Sequence, residues 1–220
     1  MLLETAIHAL PYPIFIMTFA FVIDRLSVNN TMTYKKLRSA MVSGFNIYML
    51  SVFDVLKYNY RPSFLKIYYN INDYSIQWLI FSFIFGIVAI DILLWFAHYC
   101  LHNKKIFKWI HAYHHQFTIP NAFDFSAAHP IELFSVYSMY SVIPLFFPIY
   151  VGILQFHGLL SNVLGILSHG NGLRLFSKFI DSDFHNTHHA IHSTNYGIGI
   201  FTSYWDKLFG TYTPPKIRAV

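Results

Sequence analysis

Five histidines fall within eighteen residues, in His98-Tyr-Cys-Leu-His102 and, after eight further residues, His111-Ala-Tyr-His114-His115. His185-Asn-Thr-His188-His189 repeats the second spacing near the C-terminus. Imidazole is a poor filler of apolar cores and a very common metal ligand. On a helix, His98 and His102 stand one above the other, so both rings can reach one ion. The i, i+3, i+4 pattern of the other two clusters offers three rings each, enough to hold one ion and lend a ring to a neighbour. Eight rings exceed what one tetrahedral zinc requires, which points to two ions.

With 13 histidines in 220 residues, chance produces one HxxHH in roughly one such chain in twenty and two in about one in a thousand. A loose histidine-rich tract is the bland alternative, but these clusters interrupt apolar runs at defined points. His169 closes the last long apolar run, before Gly170 and Gly172, and is expected as a ninth ligand rather than a helix cap. His129 and Glu132 open a helix at Pro130. Each is expected either to serve the helix start or to orient a ligand imidazole from behind. Asp91 is costly in its apolar run and lies seven residues before His98, on nearly the same face; it is expected to hydrogen-bond a ligand imidazole. His8 and His157 read as ordinary, and His192 as near enough to stand behind the ligands. The single cysteine, Cys100, allows no disulfide within the chain and lies in no CxxC motif.

The elements that must position these residues are set by composition. The chain is 55% hydrophobic and only 11% charged, where a soluble domain carries about 25% charged residues. It reads as a single membrane domain over 1–220. Apolar runs at 7–23, starting near or kinked at Pro13, and at 40–56 predict two N-terminal helices. The second run is weakened by Ser43, Gly44, Asn46 and Asp54. Residues 24–38 form a basic connection, and 57–75, rich in Tyr, Asn and Lys, an interfacial loop. Residues 76–96 give the clearest span: roughly 20 residues at about 1.5 Å each match the roughly 30 Å hydrocarbon core. That helix should carry His98 and His102 just past the boundary, with Trp95 and Phe96 lining a substrate channel. Residues 103–130 hold no span, and 131–167 form a helical hairpin turning around Pro144 and Pro148. Nothing beyond His169 is apolar enough to cross.

Charge then sets orientation. With the histidines on the cytoplasmic side, that side collects Arg25, Lys35, Lys36, Arg38, Lys104, Lys105, Lys108, Arg174, Lys178, Lys207, Lys216 and Arg218. The opposite side keeps Lys57, Arg61 and Lys66, twelve against three, the positive-inside pattern. The N-terminus has Glu4, no basic start and no small-residue cleavage site, and reads as a retained helix, not a signal peptide. The C-terminal Ile-Arg-Ala-Val is no endoplasmic retention signal, so a bacterial inner membrane is expected over the endoplasmic reticulum. The expected architecture is an all-α integral membrane protein with about four transmembrane helices and a cytoplasmic histidine-rich cap.

With these residues in place, the chain resembles the fatty acid hydroxylase and sterol desaturase superfamily of membrane di-iron enzymes. The resemblance runs over 91–211. Asp91 with His98-xxx-His102 resembles the first histidine box, and His111-xx-His114-His115 the second. Ala-His129-Pro130-x-Glu132 resembles the segment before the hairpin. Phe184-His185-xx-His188-His189, Asn195-Tyr196-Gly197 and Trp205-Asp206-x-Leu208-Phe209-Gly210-Thr211 resemble the C-terminal signature. Two positions depart from the pattern: Tyr99 stands where an arginine is common, and Gly165 where some members place a histidine partner to His169.

The resemblance implies a di-iron site held by His98, His102, His111, His114, His115, His169, His185, His188 and His189. Asp91, His129, Glu132 and Asn195 would stand behind them, and water, His129 or nothing would fill a tenth position. It implies hydroxylation, or alternatively desaturation, of a C–H bond of a fatty acyl chain or sterol drawn from the bilayer, using dioxygen. No His-Pro-Gly-Gly haem motif is present, so electrons are expected from a separate b-type cytochrome, or a ferredoxin with its reductase. Zinc is expected to occupy the same nitrogens in overexpressed material. A zinc hydrolase would need an acidic general base as in HExxH, and none of the boxes contains one. A metal transporter or sensor would place its site near the bilayer midplane. No nucleic-acid partner is expected.

Overall fold

Four of the five long helices start on a residue suited to the purpose. Pro11 sits at the first position of α2 (Pro11–Leu26), where its missing N–H costs nothing. Thr33 caps α3 (Tyr34–Tyr60) by accepting from Lys36 N at 3.2 Å, and Ser75 caps α4 (Ile76–Leu101) by accepting from Trp78 N at 3.3 Å. His129 caps α6 (Pro130–Phe146), its Nδ1 accepting from Ile131 N at 3.2 Å. The remaining helices are α1 (Leu2–Ala9), α5 (Lys104–Phe107), α7 (Val151–His169), α8 (Ser182–Ile191) and α9 (Tyr204–Leu208). The structure, a computed structural model, describes residues 2–27, 31–170, 182–198 and 203–215. Gly172, Arg174, Lys178, Lys216 and Arg218, invoked above, lie outside the described residues.

Four segments are long and apolar enough to cross a membrane: Leu3–Leu26, Tyr34–Tyr60, Ile76–Leu101 and Val151–His169. α6 is shorter at 17 residues. Large apolar side chains such as Ile14, Phe15, Phe45 and Ile84 point outward, as a lipid-facing surface requires. The hairpin forms as expected: Pro144 ends α6 from within, and β2 (Ile149–Tyr150) turns the chain into α7 while pairing in parallel with β1 (Ile67–Tyr68). Two boundaries differ from expectation. The helix break falls at Leu10, ahead of Pro11 instead of at Pro13. The basic connection 24–38 is half helix, because Thr33 starts α3 well before its apolar stretch.

α3 explains its own polar residues. Ser39, Ser43 and Asn46 are buried along one face and grip the segment that follows the second histidine cluster. Ser39 Oγ donates to Asp124, and Ser43 Oγ to the Phe123 carbonyl at 2.5 Å. Asn46 Nδ2 donates to the carbonyls of Ser126 and Ala128 at 2.8 and 3.0 Å. Asp124 in turn closes a capping box with Asn121. Beneath this segment lies a core of Ile16, Ala20, Ile23, Ile47, Phe123 and Ile166. The buried Asp24–Lys36 pair, at 2.7 Å, joins the end of α2 to the start of α3. α2, α4 and α7 therefore finish, and α3 and α6 begin, at one end of the bundle.

Candidate metal centre

That end carries the histidines. His98 is in the last turn of α4 and His102 caps it. His111, His114 and His115 lie on a 3-10 turn, His111–Gln116, not on an α-helix. His169 is the last residue of α7, and α8 supplies His185, His188 and His189. Two groups of nitrogens result. His98, His102, His111, His115 and His188 form one, and His114, His169, His185 and His189 the other, all ligand atoms within a group lying within 4.8 Å of each other. The 3-10 turn sends His111 and His115 to the first group and His114 to the second; α8 divides its three rings likewise. The 185–189 rings thus meet those from 98–115, as the sequence required.

The spacing between ring nitrogens is informative. His98 Nε2 lies 3.1 Å from His111 Nε2, His111 Nε2 3.1 Å from His115 Nε2, and His115 Nε2 3.1 Å from His188 Nε2. In the second group, the Nε2 atoms of His185 lie 3.1 Å from His169 and 3.0 Å from His189, and His169 lies 3.4 Å from His114. Two nitrogens bound to one ion at about 2.1 Å are about 3.0 Å apart at a right angle and about 3.4 Å apart at the tetrahedral angle.

The far ring nitrogens fix the tautomers. His98 Nδ1 donates to the Tyr196 carbonyl at 2.7 Å, His188 Nδ1 to the Thr194 carbonyl at 2.6 Å, and His169 Nδ1 to the Gly165 carbonyl at 2.7 Å. His111 Nδ1 faces Glu132 Oε1 at 2.9 Å. Carbonyl oxygens only accept, so the protons of His98, His188 and His169 sit on Nδ1 and their Nε2 lone pairs point inward. Glu132, which burial alone pushes towards its neutral form, would set His111 the same way once ionised. The inward lone pair of His98 lies 3.1 Å from His111 Nε2; with His111 also protonated on Nδ1, that approach is repulsive unless a cation lies between them. Protonating a ring instead is opposed by burial, which pushes His111, His114, His115, His185, His188 and His189 well below the usual imidazole value, neighbouring rings adding to the effect. Nitrogen-only donors in this arrangement fit a transition-metal pair.

The supporting residues are distributed differently from expectation. Asp91 accepts from Trp205 Nε1 at 2.6 Å, where a ligand imidazole was expected; His98, two turns further along the same face, is held by the Tyr196 carbonyl instead. His129 serves as the α6 cap and belongs to neither group among the described residues, so it does not supply a tenth nitrogen. Gly165 offers its carbonyl to His169 in place of a side chain. Asn195, with φ at 58°, is fully buried and binds Thr213 through both its amide nitrogen and its oxygen, at 2.9 and 2.8 Å. It shapes the loop and does not itself touch a ring. Glu132 reaches His111 from behind, as one of its two expected roles required. His192 meets His115 edge to face, ring centroids 4.5 Å apart. Trp95 packs on Tyr99 and Phe209 and Phe96 points outward; neither lines the cavity at the described residues.

Sequence reasoning gave Asp206 no role. Its carboxylate accepts from Tyr196 N at 2.9 Å, Gly197 N at 2.8 Å and Thr211 Oγ1 at 2.5 Å. This clamps the loop whose Tyr196 carbonyl orients His98. The available signal was a lone acid in an apolar, aromatic stretch.

A cavity of about 180 Å³ starts at the rings. His98 and His111 of one group and His114, His169 and His185 of the other line it, and Leu94, Leu133, Val136 and Leu154 continue it between the helices.

Fold and site together define an integral membrane helical bundle whose one end gathers nine imidazoles competent to bind metal. The chain belongs to the fatty acid hydroxylase family: the family model for fatty acid hydroxylase matches residues 83–211, within the fatty acid hydroxylase and sterol desaturase superfamily. Over 157 residues it is 32% identical to lathosterol oxidase of Rattus norvegicus, covering 69% of this chain and 52% of that protein. It is 30% identical to lathosterol oxidase of Mus musculus over the same shares. Similarity to the probable Delta(7)-sterol 5(6)-desaturase of Neurospora crassa is 31% over 140 residues, 61% of this chain and 39% of that protein. The chain therefore spans about half or less of the length of these curated relatives. They come from mammals and a fungus, and lend no support to the bacterial inner membrane expected above. No solved structure matches the chain significantly.

Proposed function

We propose that the chain is a membrane di-iron oxygenase that oxidises a C–H bond of a lipid with dioxygen and electrons from a separate protein. His98, His102, His111, His115 and His188 would hold one iron, and His114, His169, His185 and His189 the other. The observation that carries the proposal is the convergence of nine buried or half-buried rings into two groups, five and four, with all ligand nitrogens of a group within 4.8 Å of one another. Iron bound there supplies the one-electron and dioxygen chemistry needed to remove hydrogen from unactivated carbon.

The chain's own residues do the rest. The carbonyls of Tyr196, Thr194 and Gly165 keep the protons of His98, His188 and His169 on Nδ1, leaving those Nε2 atoms free to bind metal and more basic for it, and an ionised Glu132 would do the same for His111. Five of the nine rings face the cavity, so a lipid lying there meets both groups. Leu94, Leu133, Val136 and Leu154 give it an apolar wall that excludes water. The relatives' names, desaturase and oxidase, favour loss of a second hydrogen over insertion of oxygen, and favour a sterol over a fatty acyl chain. Electrons would come from a b-type cytochrome or a ferredoxin. The histidine end is assigned to the cytoplasm because Arg25, Lys35, Lys36, Arg38, Lys104, Lys105, Lys108 and Lys207 belong to that half of the charge balance and only Lys57, Arg61 and Lys66 to the other. Zinc would bind the same nitrogens without supporting turnover.

The test is lipid profiling of cells expressing the protein or its His188→Ala variant. One lipid losing two hydrogens, or gaining one oxygen, only with the intact protein supports the assignment. Identical profiles from both contradict it.

A further inference from the structure

The cavity does not end in hydrocarbon. Away from the histidines it is lined by Asp54, Lys57, Tyr58 and Tyr137. Lys57 Nζ lies 2.8 Å from Asp54 Oδ1, the Tyr137 hydroxyl donates to the same oxygen at 2.6 Å, and Lys57 Nζ donates to the Tyr137 oxygen at 3.0 Å. The three groups close a triangle between α3 and α6. The pair stands on a cavity wall that mixes leucines and valine with Ser51, Ser161 and Asn162. An ionisable pair within a membrane bundle marks a functional site, and Asp54, its side chain 41% exposed, keeps accessible surface for a ligand. A mere snorkelling pair at a helix end would not need a tyrosine from another helix to complete it, nor face inward on the space that holds the histidines.

The cluster and the rings are two ends of one space. Tyr137 lies five residues along α6 from Glu132, about 8 Å of helix, and Glu132 touches His111. Asp54 lies eight residues along α3 from Asn46, about 12 Å, on the side away from the cap. A lipid bridging the cavity would place one end at the cluster and reactive carbon at the rings.

The chemistry of the cluster selects that end. Asp54 and Lys57 cancel in charge. An anionic carboxylate or phosphate would meet Asp54, whereas a neutral hydroxyl can donate to the carboxylate and accept from the ammonium or a phenol. We propose that Asp54, Lys57 and Tyr137 form a recognition site for the hydroxyl of an uncharged lipid alcohol. They thereby select such lipids over free fatty acids and phospholipids. This rests on the cavity being the substrate site of the proposed oxygenase.

The experiment uses the full-length, iron-loaded protein in nanodiscs. Binding of tritiated cholesterol and of hexadecanol is compared with that of cholesteryl methyl ether and palmitate. Both alcohols test the shared hydroxyl chemistry, and their ratio separates a ring system from a chain. The expected result is about tenfold tighter binding of an alcohol than of its ether or of palmitate, the scale of one lost hydrogen bond to a charged group. Tyr137→Phe and Asp54→Asn are expected to remove that preference while iron content stays unchanged. Equal binding of alcohol and ether, or palmitate bound as tightly, overturns the proposal, and so does a preference that survives both variants. The alcohol–ether comparison on the unaltered protein stands even if a variant fails to fold. Selective alcohol binding without lipid oxidation would leave this site intact and sink the oxygenase reading; oxidation without selectivity would do the reverse.

Discussion

Glu132 shows how one residue governs the site without touching metal. Its carboxyl group faces His111 Nδ1 at 2.9 Å; ionised beside a metal-bound ring, it would fix the tautomer and raise the donor strength of Nε2. Loss of such a partner typically costs about 10- to 100-fold in metal affinity. Glu132→Ala is therefore expected to release iron to a chelator at about 10- to 100-fold lower chelator concentration, read by competition titration. Unchanged retention would mean that the contact is only a helix-start ornament. The histidines were legible in the sequence because metal-binding rings must recur at helical spacings. Asp91 was not legible in the same way: position put it on the face of His98, but its partner, Trp205, comes from a segment 114 residues away. Asp206 stood in the C-terminal signature, but its role was not legible for the same reason, since its value lies in three donors of a loop that only the fold brings to it.

Among the elements, α3 reads worst in sequence and supports the site most directly. Ser43 and Asn46 depress its apolarity, yet they and Ser39 anchor the 121–128 segment between the second histidine cluster and Glu132. Polar residues joining helices are the glue of membrane bundles. Asn46→Leu removes the side-chain donor to both carbonyls; Ser126 keeps the Ala128 N–H at 2.9 Å, whereas the Ala128 carbonyl loses its Asn46 partner, at about 1–3 kcal/mol when buried. The variant is expected to unfold at lower temperature in detergent, by thermal aggregation assay, and to lose metal in proportion. Equal stability would show the contact to be replaceable. Apolar runs gave the long spans correctly because hydrocarbon demands them. Helix ends were misjudged where caps decide: Thr33 starts α3 inside a stretch that composition marks as connection, and the 3-10 turn at His111–Gln116 distributes its rings in a way that i, i+3, i+4 counting on an α-helix does not foresee.

At the scale of the whole molecule, five of the long helices converge so that one end is a layer of imidazoles and the interior is a cavity running from that layer to a neutral ion pair. The family match over 83–211 ends at the residue where the sequence resemblance ended. The cavity was beyond sequence reasoning: its histidines were marked in advance, but the rest of its wall comes largely from α2, α3, α4, α6, α7 and the 125–128 segment, which only the fold brings together. The central claim is that the two groups of nitrogens hold two irons. It is tested most directly by counting iron per chain in protein purified without oxygen from iron-fed cells, alongside His115→Ala and His114→Ala variants. Two irons in the unaltered chain are expected, with loss concentrated in one group for each variant. A single iron per chain, or two that survive both substitutions, would contradict the paired site.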